Sequence, residues 1–266
     1  MPENPTRWLP HGPMTDPGPE AFRFDDVPAD LDSLCRTIQG VLIHAEWLSA
    51  YGEPADGVGP ADRETLPVAE RLARIAALDD RPLPLPRAPK RRSIGTCRDF
   101  ALMACALLRH HGVPARVRCG FASYFHDRWE DHWICEAWDP MEIRWRRIDA
   151  QIDPVLARRL AIDFDPADLP GEMFATAGDV WRLCRDGRID PGMFGHAGTT
   201  GLWFVRVNVV RDHLALNDRI VSAWDSWRDA KPSDRIVIGG DRARVDSLAL
   251  APEQPIGDGL VPPWMA

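Results

Sequence analysis

The apolar positions that follow Cys97 recur with the period of an α-helix. A stripe with this spacing is typical of a helix that is buried on one face. Thr96 and Asp99 are suited to a capping box at its start, and Gly112 followed by Pro114 ends it. The pattern predicts a helix whose first turn holds Cys97. The stripe, spaced i, i+3, i+4, i+7 and i+8, consists of Phe100, Met103, Ala104, Leu107 and Leu108.

Two segments after this helix are predicted as strands. Residues 116–125 alternate in side-chain polarity, as half-buried strands do. Residues 132–138 form a second strand that reaches Asp139-Pro140 and returns through 143–149. Aspartate followed by proline favours the first two positions of a β-turn. The second strand is therefore expected to form a tight hairpin.

The turn chemistry of the hairpin also predicts a register. If Asp139 pairs with Glu142, His132 stands directly opposite Asp149. Directly opposed side chains share a face of the sheet, with Cβ atoms about 4.5–5.5 Å apart. This register would let the Asp149 carboxylate hold the His132 imidazole.

The three residues suggest the chemistry of a thiol nucleophile. Unpaired backbone N–H groups and the helix dipole favour a thiolate at Cys97 in the first turn. An imidazole such as His132 can take the thiol proton while Asp149 fixes its tautomer. Backbone N–H groups at the helix start could stabilise an oxyanion. The alternative is that Cys97 is a small buried hydrophobic residue.

Three stretches resemble the transglutaminase-like superfamily of papain-fold cysteine enzymes, in its bacterial-type form. GTCRDFALMACALLRHHGVPARVRCGF is similar to the nucleophile helix and following strand of that family, DHWICEAW to its histidine strand and WRRIDAQ to its aspartate strand. The resemblance covers residues 93–153 and implies that Cys97 is the nucleophile, His132 the base and Asp149 the orienting acid. The family's aspartate is often followed by proline, which makes Asp153, before Pro154, a second candidate acid.

An N-terminal helix supplies further candidate residues. Asp30 can cap a helix that is predicted to run to about Tyr51 and Gly52. His44, Trp47 and Tyr51 would then lie on one side of its last turns. These three residues are candidates for substrate binding, because a polar-aromatic face of this kind could line an acyl pocket or supply an oxyanion donor. Ordinary core packing is the alternative.

The predicted fold class is α+β, with the nucleophile helix packed on a small antiparallel sheet and helical extensions at both ends. Four regions are expected: an extended, proline-rich arm (1–29), a helical extension with a proline linker (30–92), the transglutaminase-like core (93–153), and a helical extension with a proline-rich tail (154–266) in the same globule as the core. Further helices are predicted at 62–78, 155–162, 176–186, 201–216 and 217–228, with a loop at 187–200.

Composition narrows the possible functions and partners. A net charge of −8 argues against nucleic-acid binding, which needs a basic surface. No apolar run approaches the roughly 18 residues of a membrane span, and Met1–Pro19 lacks the apolar core of a signal peptide. We therefore expect a cytoplasmic protein whose six cysteines are thiols. The spacing of the cysteines and acidic residues indicates neither a metal site nor a cofactor.

Two classes of function fit these observations. The first is a cysteine-dependent acyl-transfer enzyme that forms a thioester acyl-enzyme from an amide, ester or thioester and passes the acyl group to water or an amine. Its partner would be a small-molecule or peptide acyl substrate. The second is a non-catalytic binding or scaffold module that retains the fold. The reactivity of Cys97 toward alkylating reagents distinguishes the two classes.

Overall fold

The computed structural model describes residues 4–219, 227, 230–237 and 239–255. The chain divides into two compact units, and both contain helices and strands. The α+β class predicted from the sequence is therefore confirmed. Described residues of Met1–Val117 and Ile134–Leu169 form the first unit, and those of Arg118–Trp133 and Pro170–Ala266 form the second.

The first unit contains the predicted nucleophile helix. Its helices are α1 (Leu31–Val41), α2 (Val68–Leu78), α3 (Cys97–His110) and α4 (Pro154–Arg159). Its strands are β1 (Leu42–His44), β2 (Ser93–Gly95) and β5 (Arg144–Ile148), together with the parts of β3 (Ala115–Ala122) and β4 (Trp129–Asp139) that belong to it. β1 and β2 are parallel partners, and β5 pairs antiparallel with β4.

The second unit contains most of the mixed sheet. Its strands follow the order β6-β3-β4-β7-β8, in which β6 is antiparallel to β3 and β7 is parallel to β4. The prediction of an antiparallel sheet is therefore only partly right, and the segment predicted as a loop at 187–200 contains two strands. The additional elements are β6 (Phe174–Thr176), α5 (Ala177–Arg185), β7 (Phe194–His196), β8 (Thr199–Thr200), α6 (Leu202–Leu216) and α7 (Gly239–Leu250).

Most of the predicted helices are present with shifted ends. The helix predicted at 62–78 begins only at Val68, because Pro67 occupies its N-cap position. The helix predicted at 217–228 lies largely outside the described residues. Within the ranges that the structure describes, none of the helices has the length and apolar character needed to cross a membrane.

The N-terminal arm is not extended. Its described part contains short 3₁₀ helices at Pro5–Trp8 and Gly18–Phe24. Trp8, Met14 and Phe24 are buried in the first unit. Burial of these large side chains, which a count of prolines does not show, fixes the arm on the core.

The first predicted helix also ends earlier than expected. Asp30 caps α1 as predicted, with its carboxylate accepting the Ser33 N–H at 2.9 Å, but the helix ends at Val41. The next residues pair with Ser93–Gly95 as β1, and a 3₁₀ helix spans Leu48–Tyr51. Apolar periodicity continues through this boundary, so only the pairing with β2 determines it.

The hairpin between β4 and β5 has a different register from the predicted one. Asp139 pairs with Arg144 rather than with Glu142, so the turn contains two more residues than expected. The Asp139 carboxylate accepts the N–H groups of Met141 and Glu142, at 2.9 and 3.1 Å, which closes a wider turn. Ile143 completes this turn with φ of +53°, an unusual conformation for a β-branched residue.

The N-terminus of α3 is fixed by a buried ion pair between Arg71 on α2 and Asp99 on α3. Their nearest atoms are 2.6 Å apart, and each side chain is about 1% exposed. Arg71 also donates to the Ser93 hydroxyl at 2.9 Å and to the Ile94 carbonyl at 2.7 Å. One guanidinium group therefore connects α2, β2 and α3. The helix is buried on all sides from Cys97 to Arg109, rather than on one stripe.

We predict that Arg71→Met lowers the free energy of unfolding by about 3–5 kcal/mol, because it leaves the Asp99 carboxylate buried without its charged partner. Urea unfolding of the purified variant measures this change. Arg81→Met is the matched control, since Arg81 pairs with Asp79 at the surface, and it should change stability little. Equal unfolding midpoints for the two variants would contradict a structural role for the buried pair.

Candidate active site

Cys97 is the first residue of α3 and is 6% exposed. The preceding Thr96 has the extended conformation of an N-cap residue. Asp99 accepts hydrogen bonds from the Thr96 backbone N–H at 2.7 Å and from the Thr96 hydroxyl at 3.2 Å. The predicted capping residues are therefore confirmed. The first backbone N–H groups of a helix have no acceptor within it, so α3 directs this positive end of its dipole toward the Cys97 region.

Gly95 permits the close approach of the capping carboxylate. A Cβ atom at this position would lie 2.9 Å from Asp99 Oδ2 and 3.1 Å from Asp99 Cβ. Side chains at both Gly95 and Asp99 would therefore collide. The glycine two residues before Cys97 allows the acid of the capping box to fold back against the strand.

His44 lies beside this segment, at the end of β1. The parallel register pairs His44 with Gly95, and the Ala45 N–H donates to the Gly95 carbonyl at 2.9 Å. Paired residues in a sheet point to the same side, and on that side of Gly95 lies Asp99 in the first turn of α3. His44 is 5% exposed, and its Nδ1 accepts the Glu46 N–H at 3.2 Å. This contact favours the neutral tautomer that carries its proton on Nε2.

Trp47 and Tyr51 do not share a helical face with His44, since β1 and a 3₁₀ helix replace the predicted helix there. Both rings are half-buried and lie near arginines, with the Arg159 guanidinium 6.0 Å from Trp47 and that of Arg92 5.5 Å from Tyr51. Burial and the neighbouring Asp153 carboxylate raise the pKa of Tyr51. The expected common face is therefore wrong, and the substrate-binding role of these residues stays a prediction.

Asp149 directly follows the last residue of β5 and is 1% exposed. Its backbone N–H donates to the Pro166 carbonyl at 2.8 Å. Its Oδ1 accepts the Gln151 N–H at 3.0 Å. The carboxylate is therefore held in a tight turn at the end of the strand.

Asp153, the second candidate acid, starts a helix. Its Oδ1 accepts the N–H groups of Val155 and Leu156, both at 2.9 Å, and Pro154 is the first residue of α4. Its Oδ2 lies 4.0 Å from Arg92 Nη1. Aspartate followed by proline is the expected sequence at a helix N-terminus. This local role accounts for the Asp-Pro pair.

His132 belongs to the second unit, where it lies on β4 and is 2% exposed. Its ring centroid lies 4.7 Å from that of Phe125 and 6.0 Å, edge to face, from that of Tyr124. Both aromatic residues come from the connection between β3 and β4. These two rings have no role in the site predicted from the sequence, although two adjacent aromatic residues before a candidate base are a recognisable signal. They restrict the imidazole orientation and shield it from water.

Buried charges connect α6 with β4 and with β3. Asp131, next to His132, pairs with Arg211 of α6 at 2.9 Å. Asp212, also on α6, pairs with Arg118 at 2.8 Å and accepts the Cys119 N–H at 2.8 Å. The sequence pattern predicts α6 but not these partners, because periodicity does not show which charged side chains of a helix are buried.

All six cysteines are free thiols. Burial raises the pKa of Cys35 to about 12 and that of Cys184 to about 11. Burial and a neighbouring thiol, Cys105, also raise the pKa of Cys135. These thiols are protonated near neutral pH and are poor nucleophiles. Across the described residues, no group of three or more His, Cys, Asp or Glu side chains is arranged to hold a metal ion.

The candidate residues are distributed over both units. Cys97, Asp149 and His44 belong to the first unit, with Trp47 and Tyr51, whereas His132 belongs to the second. No curated protein and no solved structure matches the chain. A family model does match, over a segment that begins before the nucleophile helix and ends just after Asp149. Residues 79–150 match the model of the transglutaminase-like superfamily, whose members are usually cysteine-based enzymes, and the resemblance inferred from the sequence is confirmed.

Proposed function

We propose that this protein is a cysteine-dependent acyl-transfer enzyme in which Cys97 is the nucleophile, His132 the general base and Asp149 the orienting acid. The observation that carries the proposal is the position of Cys97. It is the first residue of a buried helix with a fixed N-cap, within the segment that matches the transglutaminase-like superfamily. A cysteine at a helix N-terminus is favoured as a thiolate, which is the reactive form.

The proposed reaction has two acyl-transfer steps. His132 takes the Cys97 proton, and the sulfur attacks the carbonyl carbon of an amide, ester or thioester. Collapse of the tetrahedral intermediate breaks the bond to the leaving amine, alcohol or thiol, which receives the proton from His132. Water or an amine then attacks the thioester and transfers its proton to His132, and Cys97 is released.

His44 supports the proposal as a candidate oxyanion donor, together with the backbone N–H groups at the start of α3. Its Nδ1 is occupied by the Glu46 N–H, so Nε2 is the protonated nitrogen. The ring lies on the side of β1 where the first turn of α3 is found. A neutral imidazole N–H can stabilise the negative charge that develops on the carbonyl oxygen.

The hairpin supports Asp149 as the acid even though its register differs from the predicted one. Extending the observed register by one residue sets Asp149 against Ile134, two residues from His132 on β4. A shift of two residues keeps every side chain on the face that it had, since the strand period is two. The observed register differs from the predicted one by an even number of residues, and for this reason Asp149 is kept as the proposed acid.

The direct test is to find the acyl-enzyme. The protein is incubated with separate amide, ester and thioester donors and examined by intact-protein mass spectrometry, followed by peptide mapping. A covalent acyl adduct on Cys97 supports the proposal and identifies the donor class. Adducts on other cysteines alone would favour the non-catalytic alternative.

We predict that Cys97→Ala abolishes acylation while the protein still folds, because the alanine methyl group fills nearly the same space at the helix start. The rate of adduct formation with the reactive donor measures this loss. Cys105→Ala is a matched control on the same helix, since Cys105 is fully buried two turns further along. It should leave the rate nearly unchanged, and equal rates for the two variants would overturn the nucleophile assignment.

We predict that Asp149→Asn lowers the acylation rate by several orders of magnitude, because asparagine favours the wrong imidazole tautomer; the analogous change in the serine triad costs about 10⁴. Asp153→Asn should be mild, since asparagine is also a good N-cap residue. Single-turnover rates of the two variants test this ranking. The reverse ranking would identify Asp153 as the acid.

We predict that His132→Ala raises the pH at which Cys97 becomes reactive, because a thiolate–imidazolium pair keeps the sulfur ionised at low pH. The measurement is the rate of iodoacetamide alkylation against pH, followed by mass spectrometry at each cysteine. The alkylation profile of the His132→Ala variant should lie at higher pH than the wild-type profile. Coincident profiles would exclude His132 as the partner of Cys97.

A further inference from the structure

One contact in the first unit joins α1 to the turn that holds Asp149. The Gln39 side-chain amide nitrogen donates to the Ala150 carbonyl at 3.2 Å and to the Ile152 carbonyl at 3.1 Å. Gln39 is half-buried, and more than 100 positions separate it from its partners. Both N–H groups of the amide are used, one for each carbonyl.

The Ala150 carbonyl belongs to the same peptide group as the Gln151 N–H. This N–H is the one that donates to Asp149 Oδ1 at 3.0 Å. A trans peptide is planar and rigid, so its C=O and N–H point in opposite directions. Gln39 therefore binds one end of a peptide group whose other end binds the Asp149 carboxylate. A rotation of this peptide that weakened either bond would weaken the other.

The bond at the carbonyl also polarises the peptide. Hydrogen bonds in a chain strengthen one another, so donation by Gln39 to the Ala150 oxygen makes the Gln151 N–H a better donor to the carboxylate. The second bond, to the Ile152 carbonyl, holds the Ile152–Asp153 peptide group, so Gln39 binds the turn at two places. Residues 150 and 151 contain no ring that would restrict their backbone, so the turn depends on contacts of this kind.

The same face of α1 is electrostatically coupled to the turn at a second position. Cys35 lies one helical turn before Gln39, and the Asp149 charge contributes, after burial, to the raised pKa of the Cys35 thiol. Beyond Gln39 the helix ends at Val41 and continues as β1, which pairs with the strand that leads into Cys97. One short helix thus connects the turn of the candidate acid with the segment of the candidate nucleophile.

We propose that Gln39 is a positioning residue, which sets the orientation and hydrogen bonding of the Asp149 carboxylate through the Ala150–Gln151 peptide group. This inference rests on the proposed function, in which Asp149 orients the His132 imidazole. Gln39 itself touches neither the substrate nor the reacting atoms. Its loss should therefore reproduce part of the effect of removing the carboxylate.

The experiment measures iodoacetamide alkylation of Cys97 against pH in the full-length protein. The variants are Asp149→Asn, Gln39→Met, Gln39→Asn and Gln39→Lys, with Arg36→Met as the control on the exposed side of α1. Methionine has the length of glutamine but no N–H donor, asparagine is one carbon shorter, and lysine keeps N–H donors. Urea unfolding establishes that each variant is folded. Gln39→Asn serves as the donor-displaced variant if Gln39→Met does not fold.

We expect the alkylation profile of Gln39→Met to move to higher pH by about one unit, because a positioning hydrogen bond is lost. The profile of Asp149→Asn should move in the same direction. Gln39→Lys and Arg36→Met should stay near wild type. One outcome overturns the role of Gln39 and leaves the triad intact. In that outcome the profile of Asp149→Asn is shifted, but Gln39→Met, or Gln39→Asn in its place, has the wild-type profile. Equal shifts in Gln39→Met and Gln39→Lys also overturn it. An unshifted Asp149→Asn profile overturns the triad assignment, and the role of Gln39 with it.

Discussion

The buried pair of Arg71 and Asp99 is the interaction on which the start of α3, with the proposed nucleophile Cys97, depends. The buried Asp99 carboxylate accepts the Thr96 backbone N–H and hydroxyl, and a buried carboxylate needs a cation beside it. Arg71 provides that charge and also binds Ser93 and the Ile94 carbonyl on the preceding strand. The start of α3 is thereby fixed with respect to β2. A fixed N-terminus keeps its N–H groups and dipole directed at one place, which is the requirement for stabilising an anion.

A second constraint is the pairing of α1 and β1 with two segments of the candidate site, which are the strand before Cys97 and the turn that holds Asp149. β1 pairs with the strand before Cys97 and brings His44 beside Gly95, while α1 holds the turn after β5 through Gln39. These contacts are made by an N-terminal region that lies outside the segment matched by the family model. The geometry of the candidate residues is therefore determined partly by the region that precedes the matched segment. In the second unit, Asp131 and Arg211 give β4 a comparable buried anchor next to His132.

Charged groups buried in pairs are expensive to desolvate and seldom add much stability over apolar residues of similar size. The interaction energy of such a pair nevertheless depends strongly on distance and direction, which favours one arrangement of the groups over others. The described structure places such pairs beside Cys97 and beside His132. This distribution is consistent with a demand for precise positioning in the segments that carry the proposed chemistry.

The sequence by itself determined the elements and residues whose signals are local. The cap and end of α3, the strands β3 to β5, and the positions of Cys97, His132 and Asp149 follow from capping chemistry, periodicity and motif. Tertiary structure decided the remainder. Only pairing with β2 ends α1 at Val41, and only folding brings Gln39 to Ala150. The physical reason is that periodicity reports which side of an element is buried, whereas a partner far away in the chain is chosen by the three-dimensional packing of both segments.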